Sequence, residues 1–191
     1  MSILDPIILV IADYDKGFLH EDDIEFFCNN HDTVFLDTKK LIGTWCKNAF
    51  VIKINSPEFE SIKNKIDLGG WENKLVVTLG DRGCMFLKEE GFCYYDVEAV
   101  EVSDLSGAGD TFQAGLVSKY LEIKDTIFDQ KQHHILVEES IKFANICATE
   151  IVQQRGVSSL LSNSTVVNNS LLGKKNKALE GSTGKSQYMN S

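Results

Sequence analysis

Several features that mark common classes of protein are missing from this sequence. There is no run of Lys and Arg and no stripe of basic and aromatic residues, and the formal net charge is −9, which argues against a nucleic-acid surface. The five cysteines contain no C-x-x-C spacing, which argues against a zinc or redox motif. The longest apolar run near the start, residues 6–12, is too short to cross a membrane and follows no basic segment. We therefore expect neither a nucleic acid nor a membrane as a partner.

The composition that remains is that of an ordinary globular protein. Of the 191 residues, 43% are hydrophobic and 25% are charged, which is enough for one domain with a sizeable core. An odd number of cysteines without metal spacing is typical of free thiols, so we expect a cytoplasmic protein. Residues 162–191 are rich in Ser, Asn, Gly and Lys, and they predict a flexible polar tail after a domain over residues 1–161.

Short apolar runs that alternate with helical patterns predict an α/β fold. Continuous apolar character is typical of parallel strands covered on both faces, and polar residues follow the end of each run, at the edge where such sheets bind ligands. Alternation within residues 83–87 and 91–95 predicts an antiparallel hairpin at the sheet edge. The other expected strands cover residues 7–12, 33–37, 49–54 and 74–79, and the expected helices cover residues 20–29, 58–67 and 133–153.

A small-residue turn at Gly107, Ala108 and Gly109 dominates the second half of the chain. A β-rich region over residues 94–102 is expected to lead into this turn, and an amphipathic helix with Phe112 on its apolar face to leave it. The free N–H groups and the dipole at the start of such a helix attract an anion. Asp110 adds a carboxylate beside this anion site, which favours a role in taking a proton from an attacking hydroxyl.

The segment Ser106–Phe112 resembles the T-G-A-G-D-x-F signature of the ribokinase-like, or PfkB-type, carbohydrate kinases. The resemblance implies that the amides of Gly107, Ala108 and Gly109 stabilise the transferring phosphoryl group of ATP, and that Asp110 is the catalytic base. The alternative is a glycine-rich turn with an Asp near a helix N-terminus, which is common and purely structural.

Two earlier segments are similar to one branch of this family, the D-glycero-D-manno-heptose-7-phosphate kinase domain of ADP-heptose synthases. The segment Asp13–Gly17 resembles its S-D-Y-x-K-G motif, and the segment Leu36–Lys40 is similar to its D-P-K-G motif. The resemblance implies that Asp13, Lys16 and Lys39 contact the substrate or its phosphate. The alternative is that the lysines are simply solvated.

Asn55 and Glu58 match the N-x-x-E motif of the wider family, which organises magnesium and phosphate there. Oxygen ligands, often acting through water, suit a small hard cation that bridges phosphates. The alternative is a helix N-terminus that Glu58 caps and whose dipole it complements. A monovalent cation near Asp104 is a further implication of the resemblance, although Leu105 replaces the usual Thr.

The nucleotide site of the family is represented by a T-x-G-x-x-G segment and by positions further along the chain. A hairpin turn and an ordinary core helix explain these residues equally well. The residues implied to line the nucleotide are Leu79, Gly80, Gly83, Asn145 and Val157.

The resemblance covers residues 6 to about 160 and matches the carboxyl-terminal half to two-thirds of a full kinase. It implies a ribokinase-like sheet flanked by helices, from which amino-terminal strands, much of the sugar site and the β lid are absent. The implied function is ATP-dependent phosphorylation of a sugar or sugar phosphate, most like heptose 7-phosphate. The alternatives are a non-catalytic nucleotide-binding module, half of a split kinase completed by a partner chain or a second copy, and a degenerate fragment.

Overall fold

The computed structural model describes residues 7–126 and 133–153. At its centre is a six-stranded sheet whose strands lie in the order of the sequence. β1 to β4 are parallel, whereas β5 and β6 are antiparallel to their neighbours, which confirms the predicted parallel sheet with an edge hairpin. The strands are β1 (Ile8–Asp13), β2 (Thr33–Thr38), β3 (Val51–Asn55), β4 (Leu75–Thr78), β5 (Cys84–Lys88) and β6 (Gly91–Tyr95).

Helices cover both faces of the sheet. α1 (Glu21–Asn30) and α2 (Ser56–Ile62) pack on one face, and α3 (Ala108–Ile123) and α4 (His133–Ile151) pack on the other. Alternate residues of each strand therefore enter different cores: Leu36 of β2 packs with the α1 side, and Phe35 packs with the α3 side. Because helices cover both faces of the sheet, residues on both sides of the parallel strands are buried, which explains the continuous apolar runs in the sequence.

Three details differ from the sequence-based expectations. The β-rich region expected over residues 94–102 ends as a strand at Tyr95, and several of the residues beyond it line a cavity instead of pairing. α2 ends at Ile62, because the chain then turns through a bond from the Lys65 N–H to the Ile62 carbonyl. Leu121, which its helical spacing from Phe112 and Leu116 predicts to lie on the apolar face of α3, is 46% exposed. All five cysteines are free thiols, as expected. Among residues 7–126 and 133–153, no helix is long and apolar enough to cross a bilayer.

Gly83, at the start of β5, occupies a backbone conformation that only glycine tolerates. Its φ is +80° and its ψ is −125°, and a Cβ at this position would lie 2.1 Å from the carbonyl oxygen of Tyr95. We expect Gly83→Ala to lower the free energy of unfolding by about 3 kcal/mol, because left-handed strain and a backbone clash act together. Urea denaturation followed by circular dichroism measures this loss.

Gly80 provides the matched control for this substitution. It lies in the same connection between β4 and β5 and has a φ of +68°, but a Cβ there would meet nothing within 4 Å. Gly80→Ala should therefore cost only about 1 kcal/mol, the penalty for a left-handed L-residue. Equal losses in the two variants would show that the carbonyl of Tyr95 does not constrain Gly83.

Candidate active site

Polar residues from four strands meet at the carboxyl edge of the parallel sheet. Asp13, Thr38, Asn55 and Thr78 are the last residues of β1 to β4, and the register of the strands places Asp13 beside Thr38 and Asn55 beside Thr78. The start of α3 reaches the same edge, where the Lys53 Nζ lies 3.5 Å from the carbonyl oxygen of Gly109. This edge is the expected place for a ligand in an open α/β sheet.

A cavity of about 640 Å³ opens at this edge, a volume typical of small-molecule sites. It is bounded by the ends of β3 and β4, by residues 97–105, and by one side each of α3 and α4. Val157, a predicted nucleotide contact, lies outside the described residues. The predicted site residues that line the cavity are Leu79, Gly80, Gly83, Asn145, Asn55, Lys39, Ala108 and Gly109.

Asn145 lines the cavity from α4 and joins that helix to the end of β6. Its Nδ2 donates to the carbonyl oxygen of Tyr95 at 2.9 Å, and its side chain is buried. Ala148, Thr149 and Val152 extend the same wall along the helix. The wall is therefore mostly apolar, with few polar groups, a combination suited to a flat heterocyclic ring.

The predicted anion site is the first turn of α3. Gly107 is the N-cap residue in the left-handed conformation, and no side chain caps the helix there. The Ala108 N–H donates to the carbonyl oxygen of Leu105 at 3.3 Å, and the Thr111 N–H donates to that of Gly107 at 2.8 Å. The amide of Ala108 is thus engaged by the turn itself, and its predicted contact with a phosphate would require this bond to open.

Asp110 follows Gly109 and is exposed at the start of α3. Its Oδ1 accepts a hydrogen bond from the phenol of Tyr14, which lies just beyond the end of β1. This bond to Asp110 raises the pKa of Tyr14 to about 12, so the phenol keeps its proton at neutral pH. The fold therefore places Tyr14, which belongs to the Asp13–Gly17 segment, in contact with Asp110, the predicted catalytic base 96 positions later in the sequence.

A buried ion pair that the sequence analysis did not identify lies beneath the start of α3. Lys53 of β3 is 3% exposed, and its ammonium donates to the Asp37 Oδ2 on β2. Lys53 also lines the cavity, and its Nζ would lie 3.3 Å from a Cβ at Gly109. The sequence contained one indication of this pair, a charged residue inside an apolar strand, because such a residue needs a partner when it is buried.

Asn55 and Glu58 are brought together, in the arrangement of a capping box. The Asn55 Oδ1 accepts from the Glu58 N–H at 3.0 Å, and the Glu58 Oε2 accepts from the Asn55 N–H at 2.7 Å. The remaining Glu58 oxygen pairs with the Lys39 Nζ at 2.9 Å. The capping role is therefore present. Asn55 also lines the cavity, whereas Glu58 is not among its lining residues.

These oxygen donors fit a magnesium ion only as outer ligands. The described part of the chain contains no group of three or more His, Cys, Asp or Glu able to hold a metal ion. One amide and one carboxylate, both partly engaged, suit an ion whose other ligands are phosphate oxygens and waters, which is the usual state of Mg²⁺ at phosphate sites. It stays a prediction that Asn55 and Glu58 act as outer ligands of a magnesium ion.

The predicted substrate residues have different surroundings. Asp13 is buried and accepts bonds from Thr38, Lys40 and the Asp15 N–H. Burial alone would raise the pKa of Asp13, but the bonds from Lys40 and Thr38 outweigh it and hold that pKa below its usual value. Lys16 is exposed, and Lys39 is bound to Glu58. Lys40, which the sequence analysis did not select, is the cation that anchors Asp13.

Asp104 shapes the approach to the turn. Its Oδ1 accepts from the Ser106 N–H at 2.8 Å, which forms a local turn two residues before Ala108. A monovalent cation at this loop stays a prediction.

The geometry provides the parts needed to move a phosphoryl group to a hydroxyl. A mostly apolar cavity leads to a helix N-terminus and a buried ammonium, both attractive to negative charge. An exposed carboxylate next to that helix start can accept a proton.

Comparison with family models supports this interpretation. Residues 19–164 match the model described as pfkB family carbohydrate kinase. The match includes the segments of Asn55 and Asp110, and it starts after the Asp13–Gly17 segment.

Two curated relatives and one solved structure represent the similarity to known proteins. Fructokinase-1 of Oryza sativa is 29% identical over 126 residues, which are 61% of this chain and 38% of the relative. The bifunctional protein HldE of Campylobacter curvus is 32% identical over 166 residues, which are 78% of this chain and 33% of the relative. The ribokinase structure from Thermotoga maritima superposes with a TM-score of 0.58 at 15% identity, over 78% of this chain and 51% of that one. The chain thus spans about a third of the length of these curated relatives.

Proposed function

Because the chain belongs to the PfkB family of carbohydrate kinases, we propose that it takes part in ATP-dependent phosphorylation of a hydroxyl on a sugar or sugar phosphate. The observation that supports this most strongly is the position of Asp110. Gly109 lies where the cavity wall, the N-terminus of α3 and the Lys53 ammonium meet. Asp110 is the next residue, and its carboxylate is exposed.

In this proposal each part of the site has a separate task. The apolar wall around Asn145 and Leu79 receives the adenine, and the phosphates extend towards the start of α3. The first-turn amides and the Lys53 ammonium offset charge on the transferring phosphoryl group. Asp110 accepts the proton of the attacking hydroxyl, because a solvent-accessible carboxylate is available beside that point.

Magnesium fits this arrangement as a partner of the phosphates. Glu58 and Asn55 would hold it through water or phosphate oxygens, and Lys39 would keep Glu58 in place. When bound, the ion supplies neutralisation of phosphate charge.

The acceptor is proposed more narrowly as a sugar phosphate related to heptose 7-phosphate. The segment Asp13–Gly17 supports this choice, and so does the similarity to a bifunctional protein HldE at 32% identity. The similarity to fructokinase-1 supports fructose as the competing acceptor. Lys16 is the exposed cation closest in sequence to Tyr14 and would meet a phosphate on the acceptor.

A second candidate function is half of a kinase that needs another chain, a role supported by the outer edge of the sheet. Within the described residues, β1 pairs with β2 on one side only. Val10 of β1 is 46% exposed, and Ile7, which directly precedes the strand, is 67% exposed. A sheet edge of this kind accepts another strand readily.

An ADP-release assay with the purified chain, ATP and Mg²⁺ tests both candidates. The acceptor panel contains heptose 7-phosphate, fructose and other sugars and sugar phosphates. We expect turnover with a sugar phosphate. Turnover only after a second chain is added would select the second candidate, and ATP binding in calorimetry without turnover under any condition would contradict the kinase proposal.

A further inference from the structure

The loop after β1, residues 14–19, is exposed, but side chains from after β2 anchor its first residues. The Asp13 carboxylate beneath it accepts from the Lys40 Nζ at 2.8 Å and from the Thr38 Oγ1 at 2.9 Å. The same Lys40 Nζ reaches the Asp15 Oδ1 at 2.9 Å. Tyr14 lies between these two anchored residues, so its backbone has little freedom.

The loop also contains backbone strain. Asp15 has a φ of +53°, one of two positive values at residues other than glycine in the described part of the chain. Such conformations cost free energy and persist where surrounding contacts over-determine them, typically at functional sites. Here the contacts are the bonds from Lys40 to Asp13 and Asp15. Because these residues flank Tyr14, the bonds restrict the orientation of its side chain.

That direction brings the phenol of Tyr14 to the carboxylate of Asp110. The bond joins the end of β1 to the first turn of α3 at a place where both side chains are solvent-exposed. An exposed phenol normally donates to water, and fixing its side chain costs conformational entropy. Because the loop is anchored, the backbone of Tyr14 is already ordered before the bond to Asp110 forms, which lowers this entropy cost.

We propose that Tyr14 is a positioning residue for Asp110, and this inference rests on the proposed kinase function. The phenol holds the Oδ1 of the carboxylate and thereby fixes its rotamer. The Oδ2 is left to accept the proton of the acceptor hydroxyl. The proton moves from that hydroxyl to Oδ2 as the bond from the acceptor oxygen to the γ-phosphorus of ATP forms. The bond between that phosphorus and the oxygen bridging to the β-phosphate breaks, so ADP leaves, while Tyr14 keeps its own proton throughout.

The charged groups around this pair lie on β1, β2 and β3 and in the loops that follow β1 and β2. Lys53 on β3 lies beside Gly109, Asp37 on β2 acts on the Tyr14 phenol and pairs with Lys53, and Lys40 is held by Asp13 and Asp15. Asp110 is the group bonded to Tyr14 and the largest cause of its raised pKa. A change in Asp110 should therefore be visible in the titration of Tyr14.

The first test is a spectroscopic titration that needs no turnover. Tyrosine labelled with carbon-13 at Cζ is followed by NMR, and the Tyr14 signal is assigned by its loss in Tyr14→Phe. In the wild-type chain the phenol should stay protonated at pH 10.5, since its pKa is about 12. In Asp110→Asn the signal should move to that of a partly ionised phenol at this pH, since the ordinary value is about 10. An unchanged signal would overturn the proposal.

The second test is kinetic and separates this inference from the proposed function. Tyr14→Phe should lower kcat about tenfold, as expected for one lost bond to a charged group, with the KM for ATP within about twofold. Tyr94→Phe, which removes a phenol from β6, should change neither.

The outcomes are distinct. Turnover by the wild type with an equally fast Tyr14→Phe would overturn the positioning role and leave the kinase function standing. A faster Tyr14→Phe would overturn it too, because the phenol would then block the base. A change confined to the acceptor KM would assign Tyr14 to substrate binding instead. No turnover in any variant or with any added chain would overturn both proposals.

Discussion

Asp110→Asn is expected to abolish phosphoryl transfer while leaving the nucleotide bound. The amide has nearly the same shape as the carboxylate but cannot accept the proton of the acceptor hydroxyl, and general-base catalysis contributes about 10²- to 10⁴-fold. We therefore expect kcat to fall about 10³-fold in the ADP-release assay. The dissociation constant for ATP, measured by calorimetry, should change less than about threefold, because Asp110 lies outside the cavity wall.

Glu122→Gln is the matched control for this loss of a carboxylate. Glu122 lies on α3 as well, but it is exposed at the far end of the helix and pairs with Lys119. Its turnover should equal that of the wild type. If Asp110→Asn retained more than about a tenth of the activity, a general base at this position would be contradicted.

Lys53→Met is expected to be the most destabilising of the substitutions considered. It leaves the Asp37 carboxylate, which is 8% exposed, without its cation in the core between β2 and α3. Its other carboxylate oxygen, Oδ1, has no hydrogen-bond partner within the described structure. Removing one member of a buried pair costs about 3–5 kcal/mol, and urea denaturation at pH 7 should show a loss of that size.

Two further variants identify the cause of this loss. Lys63→Met removes the cation of an exposed pair with Glu60 on α2 and should cost less than about 1 kcal/mol. Combining Lys53→Met with Asp37→Leu removes both buried charges, and stability should return to within about 1 kcal/mol of the wild type. A double variant as unstable as Lys53→Met alone would mean that packing, and not an uncompensated charge, explains the loss.

The elements of this fold were predictable because they depend on local patterns. The apolar runs that became β1 to β4 and the turn of Gly107 before α3 are short-range signals. The β-rich composition of residues 96–102 is a local signal of the same kind, but the structure pairs these residues with no strand, and several of them line the cavity. Strand formation requires a partner, and a single sequence does not reveal one.

The site was predictable only where a motif contains all of its residues. Asn55 and Glu58 are three positions apart, and their reciprocal bonds follow from that spacing. The pairs Lys53–Asp37 and Tyr14–Asp110 join separate elements, so nothing local to either residue identifies its partner. A lysine in an apolar strand indicates that a partner exists, and only the fold identifies it.

The consecutive order of the strands has a consequence for how the molecule is made. Each strand pairs with the one before it, so the sheet and its α1 face can form as the chain leaves the ribosome. The opposite face, which includes Phe35, Val51 and Phe86, stays uncovered until α3 and α4 have been synthesised. Asp110 arrives with that last layer. The nascent chain therefore has an exposed apolar face until α3 and α4 dock on it.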